Sequence, residues 1–247
     1  MKTLVFGDIH GRDIWKEILD SAEYDNCIFL GDYVDTHDKI THKQQLSNFK
    51  KLMEYKEKLG DRMILLLGNH DYHYWTNNHN IRYSGFNSDM KYHYGPLIRK
   101  AVREGKVRIA YIQDGFLFTH AGVSKTWLEK YSDGLKSVKE LTAERPNVNM
   151  STLDFNMAEG YEPYGDTIGN GPLWIRPYSL SKDMVDGYDQ IVGHTPAKAI
   201  TNIKDVYEGT KHNLWLCDNL EKEYVVIEDG VVSVKEVPVK QPDLTFG

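Results

Sequence analysis

The sequence predicts an α/β fold, a two-sheet β-sandwich flanked by helices, largely parallel in one sheet and more antiparallel in the other. Three observations predict it. Short runs that are apolar throughout alternate with amphipathic helical stretches in the first third of the chain. Several of those runs stop at a glycine. The last part of the chain holds three closely spaced apolar runs, the final two joined by Asp229-Gly230. Alternating strands and helices signal parallel βαβ units, and closely spaced strands with tight turns signal antiparallel pairing.

The elements follow in order. Residues 3–6 form an apolar run that ends at Gly7, and 11–20 place Ile14, Trp15, Ile18 and Leu19 at helical spacing. Residues 27–30 repeat the apolar run and end at Gly31. A longer helix over 43–59 carries Leu46, Phe49, Leu52, Met53 and Leu59 on one side, while Lys50, Lys51, Lys56 and Lys58 alternate with glutamates as a solvated face. Residues 63–67 form a third apolar run, ending at Gly68. Runs without alternation fit strands covered on both faces. The stretch 71–95, rich in Tyr, His and Asn, reads as a long loop. Helix resumes over 96–104. Strands over 107–112 and 116–119 are joined by Asp114-Gly115, a hairpin signal. The polar stretch 136–171 mixes helix and loop. Another strand covers 188–192, and 214–217, 224–227 and 231–234 read as an antiparallel meander closing the second sheet.

The 247 residues suit one large α/β domain, read here as 1–239, with an excursion over 72–95 and a loosely ordered tail over 240–247. The net charge of −6 gives the molecule as a whole no electrostatic footprint for nucleic acid or an anionic membrane. No apolar run approaches membrane-spanning length, and Met1 is not followed by a signal h-region. Cys27 and Cys217 each sit in an apolar run and read as buried core residues of a reducing compartment. The expectation is a cytoplasmic protein. The sequence specifies no oligomeric state.

The chemistry sits at the strand ends. The run ending at Gly7 delivers Asp8, the run ending at Gly31 delivers Asp32, and the run ending at Gly68 delivers Asn69. In an open parallel sheet the carboxyl ends of neighbouring strands face one crevice, and a glycine at each exit permits a tight turn and close backbone approach. Asp8, Asp32 and Asn69 are therefore expected to converge. His10, two residues after Asp8, would point the same way from an extended segment. His70 follows Asn69, and two further strand ends supply His120 and His194. Carboxylate oxygen with imidazole nitrogen suits manganese, iron or zinc. With two carboxylates, one must bridge if two ions are held. Two divalent ions bring about +4, two carboxylates about −2 and a shared hydroxide leaves about +1, a site that attracts a phosphate.

Gly7-Asp8-Ile9-His10-Gly11, Gly31-Asp32-Tyr33-Val34-Asp35, Gly68-Asn69-His70-Asp71, His120-Ala121-Gly122 and Gly193-His194-Thr195-Pro196 resemble the signature blocks of calcineurin-like metallophosphoesterases. They look closest to the phosphoprotein phosphatase branch, particularly its bacterial and phage members, which include symmetrical dinucleoside tetraphosphate hydrolases. The resemblance implies two divalent metal ions. Asp8 and His10 would bind the first, Asp32 would bridge, and Asn69, His120 and His194 would complete the second. His70 would be the general acid, oriented by Asp35, and Arg176 would bind phosphate. The family's arginine and glycine after the second aspartate are replaced here by Thr36 and His37, so one phosphate clamp is missing, with Arg12 or His37 as substitutes. Pro196 stands where nuclease-like relatives carry a second histidine, which favours the phosphatase branch.

Taken alone, other residues read more plainly. Asp71 reads as a turn or cap residue. The aromatic segment with Tyr72, His73, Tyr74, Trp75, His79, Tyr83, Phe86, Tyr92, His93 and Tyr94 reads as a packed excursion beside the site rather than a base-stacking platform. The expected activity is hydrolysis of phosphate monoesters by a metal-activated hydroxide on a phosphoprotein or nucleotide, with a Ser/Thr or Tyr protein phosphatase as one form of it. The alternatives are a dinucleoside polyphosphate or other nucleotide hydrolase and a non-catalytic phosphate-binding module.

Overall fold

The computed structural model describes residues 1–76, 83–144, 149–155, 166–206 and 209–238. Among the described residues, eleven strands form two sheets. The first sheet holds β1 (Lys2–Phe6), β2 (Asn26–Phe29), β3 (Met63–Leu66), β4 (Val107–Arg108), β10 (Glu223–Glu228) and β11 (Val231–Glu236), in the order β11-β10-β1-β2-β3-β4. The second holds β5 (Ala110–Gln113), β6 (Phe116–Thr119), β7 (Asp189–Pro196), β8 (Thr201–Asn202) and β9 (Leu214–Asp218), in the order β5-β6-β7-β9-β8.

Both sheets are mixed, the first with the larger parallel part. Strands β1 to β4 run parallel, and β10 and β11 add antiparallel edges. In the second sheet β6, β7 and β9 run parallel, flanked by antiparallel β5 and β8. The run 107–112 is not one strand. It breaks at Ile109, so β4 closes the first sheet and β5 opens the second. The last three apolar runs are not one meander either. Strand β9 pairs with β7, whereas β10 crosses to the first sheet and pairs with β1.

The apolar strands are covered on two sides, as their composition requires. Val5, Ile28, Leu30, Ile64 and Leu66 pack against Phe116, Phe118 and Ile191 of the other sheet. The alternate residues Leu4, Phe6, Cys27 and Phe29 pack outward on Trp15, Ile18, Phe49 and Leu52. These belong to helices α1 (Ile14–Ser21) and α2 (His42–Leu59). Each fully buried side chain of this size contributes about 1.5–3 kcal/mol. A reciprocal capping box between Thr41 and Gln44 fixes the start of α2.

The described residues of the stretch expected as a loop are largely helical. They form α3 (Asn69–Trp75), α4 (Ser88–His93) and, after Tyr94, α5 (Gly95–Arg103). Tyr72, His73, Tyr74, Met90 and Tyr94 are buried, so the segment is a packed excursion. Helix α3 shows no apolar stripe because it is buried nearly all round, with the polar Asn69, Asp71 and His73 buried beside Tyr72 and Tyr74. Asp71 is fully buried there. Its carboxylate accepts from the backbone N–H groups of Asp32, Tyr33 and Gly68 and from the Tyr94 hydroxyl. It acts as a cap that ties α3 to the exit of β2. The described residues of 136–171 include α6 (Val138–Leu141) and a 3-10 turn (Met150–Leu153), and α7 (Pro177–Lys182) follows. His79 and the tail from 240 lie outside the described residues.

Candidate metal centre

Asp8, Asp32, Asn69, His120 and His194 are all brought together and buried, and His10 completes the group at its rim. The exits of β1 and β2 run side by side. The N–H groups of Ile9, His10 and Gly11 donate to the carbonyls of Gly31, Asp32 and Tyr33. His10 is not in an extended segment, contrary to the sequence expectation. Its φ is 44°, and the left-handed backbone is what swings its ring back beside Asp8. Asp32, Asp35 and His194 also have positive φ, at 51°, 61° and 62°. Residues other than glycine hold such backbone only where surrounding contacts enforce it, and they cluster at functional sites.

Three imidazoles are oriented from behind. His10 Nδ1 lies 2.9 Å from the Val34 carbonyl, His120 Nδ1 lies 2.9 Å from the Leu30 carbonyl, and His194 Nε2 lies 3.2 Å from the Trp174 carbonyl. A carbonyl only accepts, so each ring donates its proton there and turns the lone pair of its other nitrogen inward. Those lone pairs face electron-rich oxygens. His10 Nε2 lies 3.8 Å from Asp8 Oδ2 and 3.9 Å from Asp32 Oδ2. His120 Nε2 lies 3.4 Å from Asp32 Oδ2 and 2.8 Å from Asn69 Oδ1, and His194 Nδ1 lies 2.9 Å from the same Asn69 oxygen.

Burial keeps the rings neutral. It lowers His10 to about 4 and His120 to about 3, and holds His194 well below its usual value. Burial raises the Asp8 and Asp32 carboxyls, and nearby Asp218 and Asp71 push the same way. Neutral imidazoles and buried carboxylates aimed at one another repel unless a cation lies between them. The donor set therefore fits divalent cations, and its oxygen and nitrogen atoms match borderline ions. Ligand atoms of Asp8, Asp32 and His120 lie within 4.8 Å of one another.

A second cluster stands beside the first. Asp35, His70 and His73 also offer ligand atoms within 4.8 Å. Here the Asp35 carboxylate is saturated by donors. His73 Nε2 lies 2.7 Å from Oδ2, the Tyr74 hydroxyl donates to Oδ1 at 2.7 Å, and His70 Nδ1 lies 3.4 Å from Oδ2. Burial alone would raise Asp35, but the bonds from His70, His73 and Tyr74 outweigh it and hold the carboxyl below its usual value. The His70 ring meets the His10 ring edge-on at 5.3 Å, so the two clusters adjoin.

Arg176 sits at the other rim. Its Nη1 donates to the His194 carbonyl and to Thr195 Oγ1, both at 3.1 Å. Arg12 is committed elsewhere, with Nη2 2.8 Å from both Asp38 and Glu221. It lines, with His10, His37, Lys198 and Asp218, a cleft of about 450 Å³ next to the centre. Sequence reading missed His73 and Tyr74 as partners of Asp35. The spacing of His70 and His73, one helical turn, would have revealed the first had α3 been read as a helix.

A family model for the calcineurin-like phosphoesterase matches residues 1–226. Among solved structures, the cold-active protein-tyrosine phosphatase of the psychrophile Shewanella sp. is 18% identical with a TM-score of 0.60, over 96% of this chain and 80% of that one. A protein serine/threonine phosphatase from Saccharomyces cerevisiae is 18% identical with a TM-score of 0.56, over 98% and 82%. A metallophosphoesterase from Sphaerobacter thermophilus is 12% identical with a TM-score of 0.53, over 97% and 90%. No curated protein matches the chain. At these identities the neighbours establish the fold alone, while the family match runs from β1 into β10 and spans the whole donor set. The chain belongs to the calcineurin-like phosphoesterase family, and it is a metal-dependent phosphoesterase.

Proposed function

We propose that the chain hydrolyses phosphate monoesters with two divalent cations, and that its substrate is a phosphoprotein. In this reading Asp8 and His10 would hold one cation, Asn69, His120 and His194 the other, and Asp32 would serve both. Manganese is the ion of first choice, with iron or zinc as alternatives. The cations, when bound, supply Lewis acidity and a water activated near neutral pH. Everything else falls to side chains. Arg176 offers a planar fork to phosphate oxygens beside His194. His70 protonates the leaving oxygen from Nε2, because Asp35 lies on the Nδ1 side of the ring.

One observation above all supports this reading. Three rings, those of His120 and His194 buried and that of His10 at the rim, bond backbone carbonyls with one nitrogen and turn the other towards Asp8, Asp32 or Asn69. A protein-tyrosine phosphatase and a serine/threonine phosphatase among the fold neighbours support the phosphoprotein class. The two buried free cysteines, and a chain in which no described helix is long and apolar enough to cross a membrane, support a cytoplasmic setting. The decisive assay measures phosphate release with manganese from phosphopeptides, mononucleotides, dinucleoside tetraphosphates and diesters. Release from phosphopeptides above the rest is the expected result. Preference for the tetraphosphates would replace the substrate class, and no manganese-dependent release from any of them would overturn the reading.

A further inference from the structure

Asp35 carries two histidines, and the one not aimed at the metal centre holds it more closely. His73 Nε2 stands 2.7 Å from Asp35 Oδ2, against 3.4 Å for His70 Nδ1. Both rings come from α3, one turn apart. His73 is fully buried and its Nδ1 has no hydrogen-bond partner. The Nε2–H tautomer leaves only a bare lone pair there, whereas a charged ring would bury an unpaired N–H, so the neutral ring is the cheaper state. Tyr74, Phe86 and Tyr83 surround it, with ring centroids at 4.2, 5.4 and 6.3 Å. His73 is thus clamped by packing and donates one bond.

We infer that His73 is a positioning residue: it fixes the Asp35 carboxylate so that Asp35 can orient His70. The inference rests on the reading of His70 as the general acid. A lysine or arginine in its place would neutralise Asp35 and weaken its pull on the His70 proton. A neutral imidazole sets the geometry and leaves the negative charge for His70. Tyr74 does the same at Oδ1, so both carboxylate oxygens are fixed by uncharged donors.

The test uses the manganese-loaded enzyme with 2,4-dinitrophenyl phosphate and phenyl phosphate. Dinitrophenolate leaves without a proton and phenolate needs one. His73→Leu should lower kcat on phenyl phosphate on the order of 10-fold, with a much smaller change on the dinitrophenyl ester and unchanged metal content. His73→Gln, whose amide reaches Asp35 as Nε2 does, should restore it. In a His70→Asn background, His73→Leu should cost nothing further. If His73→Leu does not fold, His73→Asn against His73→Gln makes the same comparison. Equal losses on both esters, or the same loss without His70, would make His73 merely structural and overturn the inference. A His70→Asn enzyme that treats both esters alike would remove the acid itself and with it the inference.

Discussion

The backbone N–H of His194 donates to both carboxylate oxygens of Asp8, at 3.0 and 3.2 Å. This bond joins β7, at its irregularity between Val192 and Pro196, to the exit of β1 in the other sheet, so the centre lies on the seam of the sandwich. Gly193 makes the approach possible, because a Cβ there would collide with Asp8 Oδ1. Gly193→Ala is therefore expected to part the two strand ends, at a cost of about 1–3 kcal/mol in stability. Bound manganese per chain should fall although circular dichroism stays close to wild type. Full metal occupancy with unchanged melting would show that the seam has room to spare.

Two substitutions separate metal binding from proton transfer. Asp32 faces both His10 and His120 through Oδ2, so Asp32→Asn removes the one charge shared by both halves of the centre. Metal analysis should show loss of both ions. His70→Asn should spare metal content and lower kcat by roughly 10²–10⁴-fold. Normal turnover in the second variant would take His70 out of its role.

Much of the centre was legible because Asp8, Asp32 and Asn69 each follow an apolar run that stops at glycine, and a strand buried on both faces advertises itself by composition. Asp114-Gly115 and Asp229-Gly230 were legible as turns because both residues of each pair adopt positive φ. Other features depend on distant partners. Nothing local tells Val225 to pair with Val5 of β1 rather than with β9, and nothing in 107–112 marks Ile109 as the break between sheets. Helix α3 was hidden for a different reason. It is buried nearly all round, with Asp71 and His73, held by hydrogen bonds to the β2 exit and to Asp35, alternating with Tyr72 and Tyr74, so no apolar stripe marks one face.

Gly85 lies directly over the Asp35–His70 pair. A Cβ at this position would stand 3.0 Å from Asp35 Cβ and 3.1 Å from His70 Nδ1, and φ is +84°. Gly85→Ala should cost roughly 1–2 kcal/mol from the left-handed backbone alone. The methyl group should also press on the His70 ring, so kcat falls more than KM changes, with metal content intact. Steady-state kinetics beside thermal melting checks both parts. A variant less stable but equally active would mean that the segment over the pair yields instead of the ring.

The far end of α3 depends on cations from later helices. Lys91 Nζ donates to the carbonyls of His73 and Thr76, and Arg99 Nη1 donates to the Tyr74 carbonyl at 2.9 Å. These are carbonyls that a helix end leaves without intrahelical partners, and positive charge there also opposes the helix dipole. Lys91→Met keeps most of the stem and removes the ammonium. It should lower stability by about 1–3 kcal/mol, since charged hydrogen bonds to partly buried carbonyls are lost. Amide exchange should quicken selectively over 70–76 and leave β1 to β3 protected. Because the same helix carries His70 and His73, loss of the cap should lower turnover at temperatures where the metal centre itself stays intact. Exchange that rises evenly across the chain would instead assign Lys91 to global stability, with no particular hold on α3.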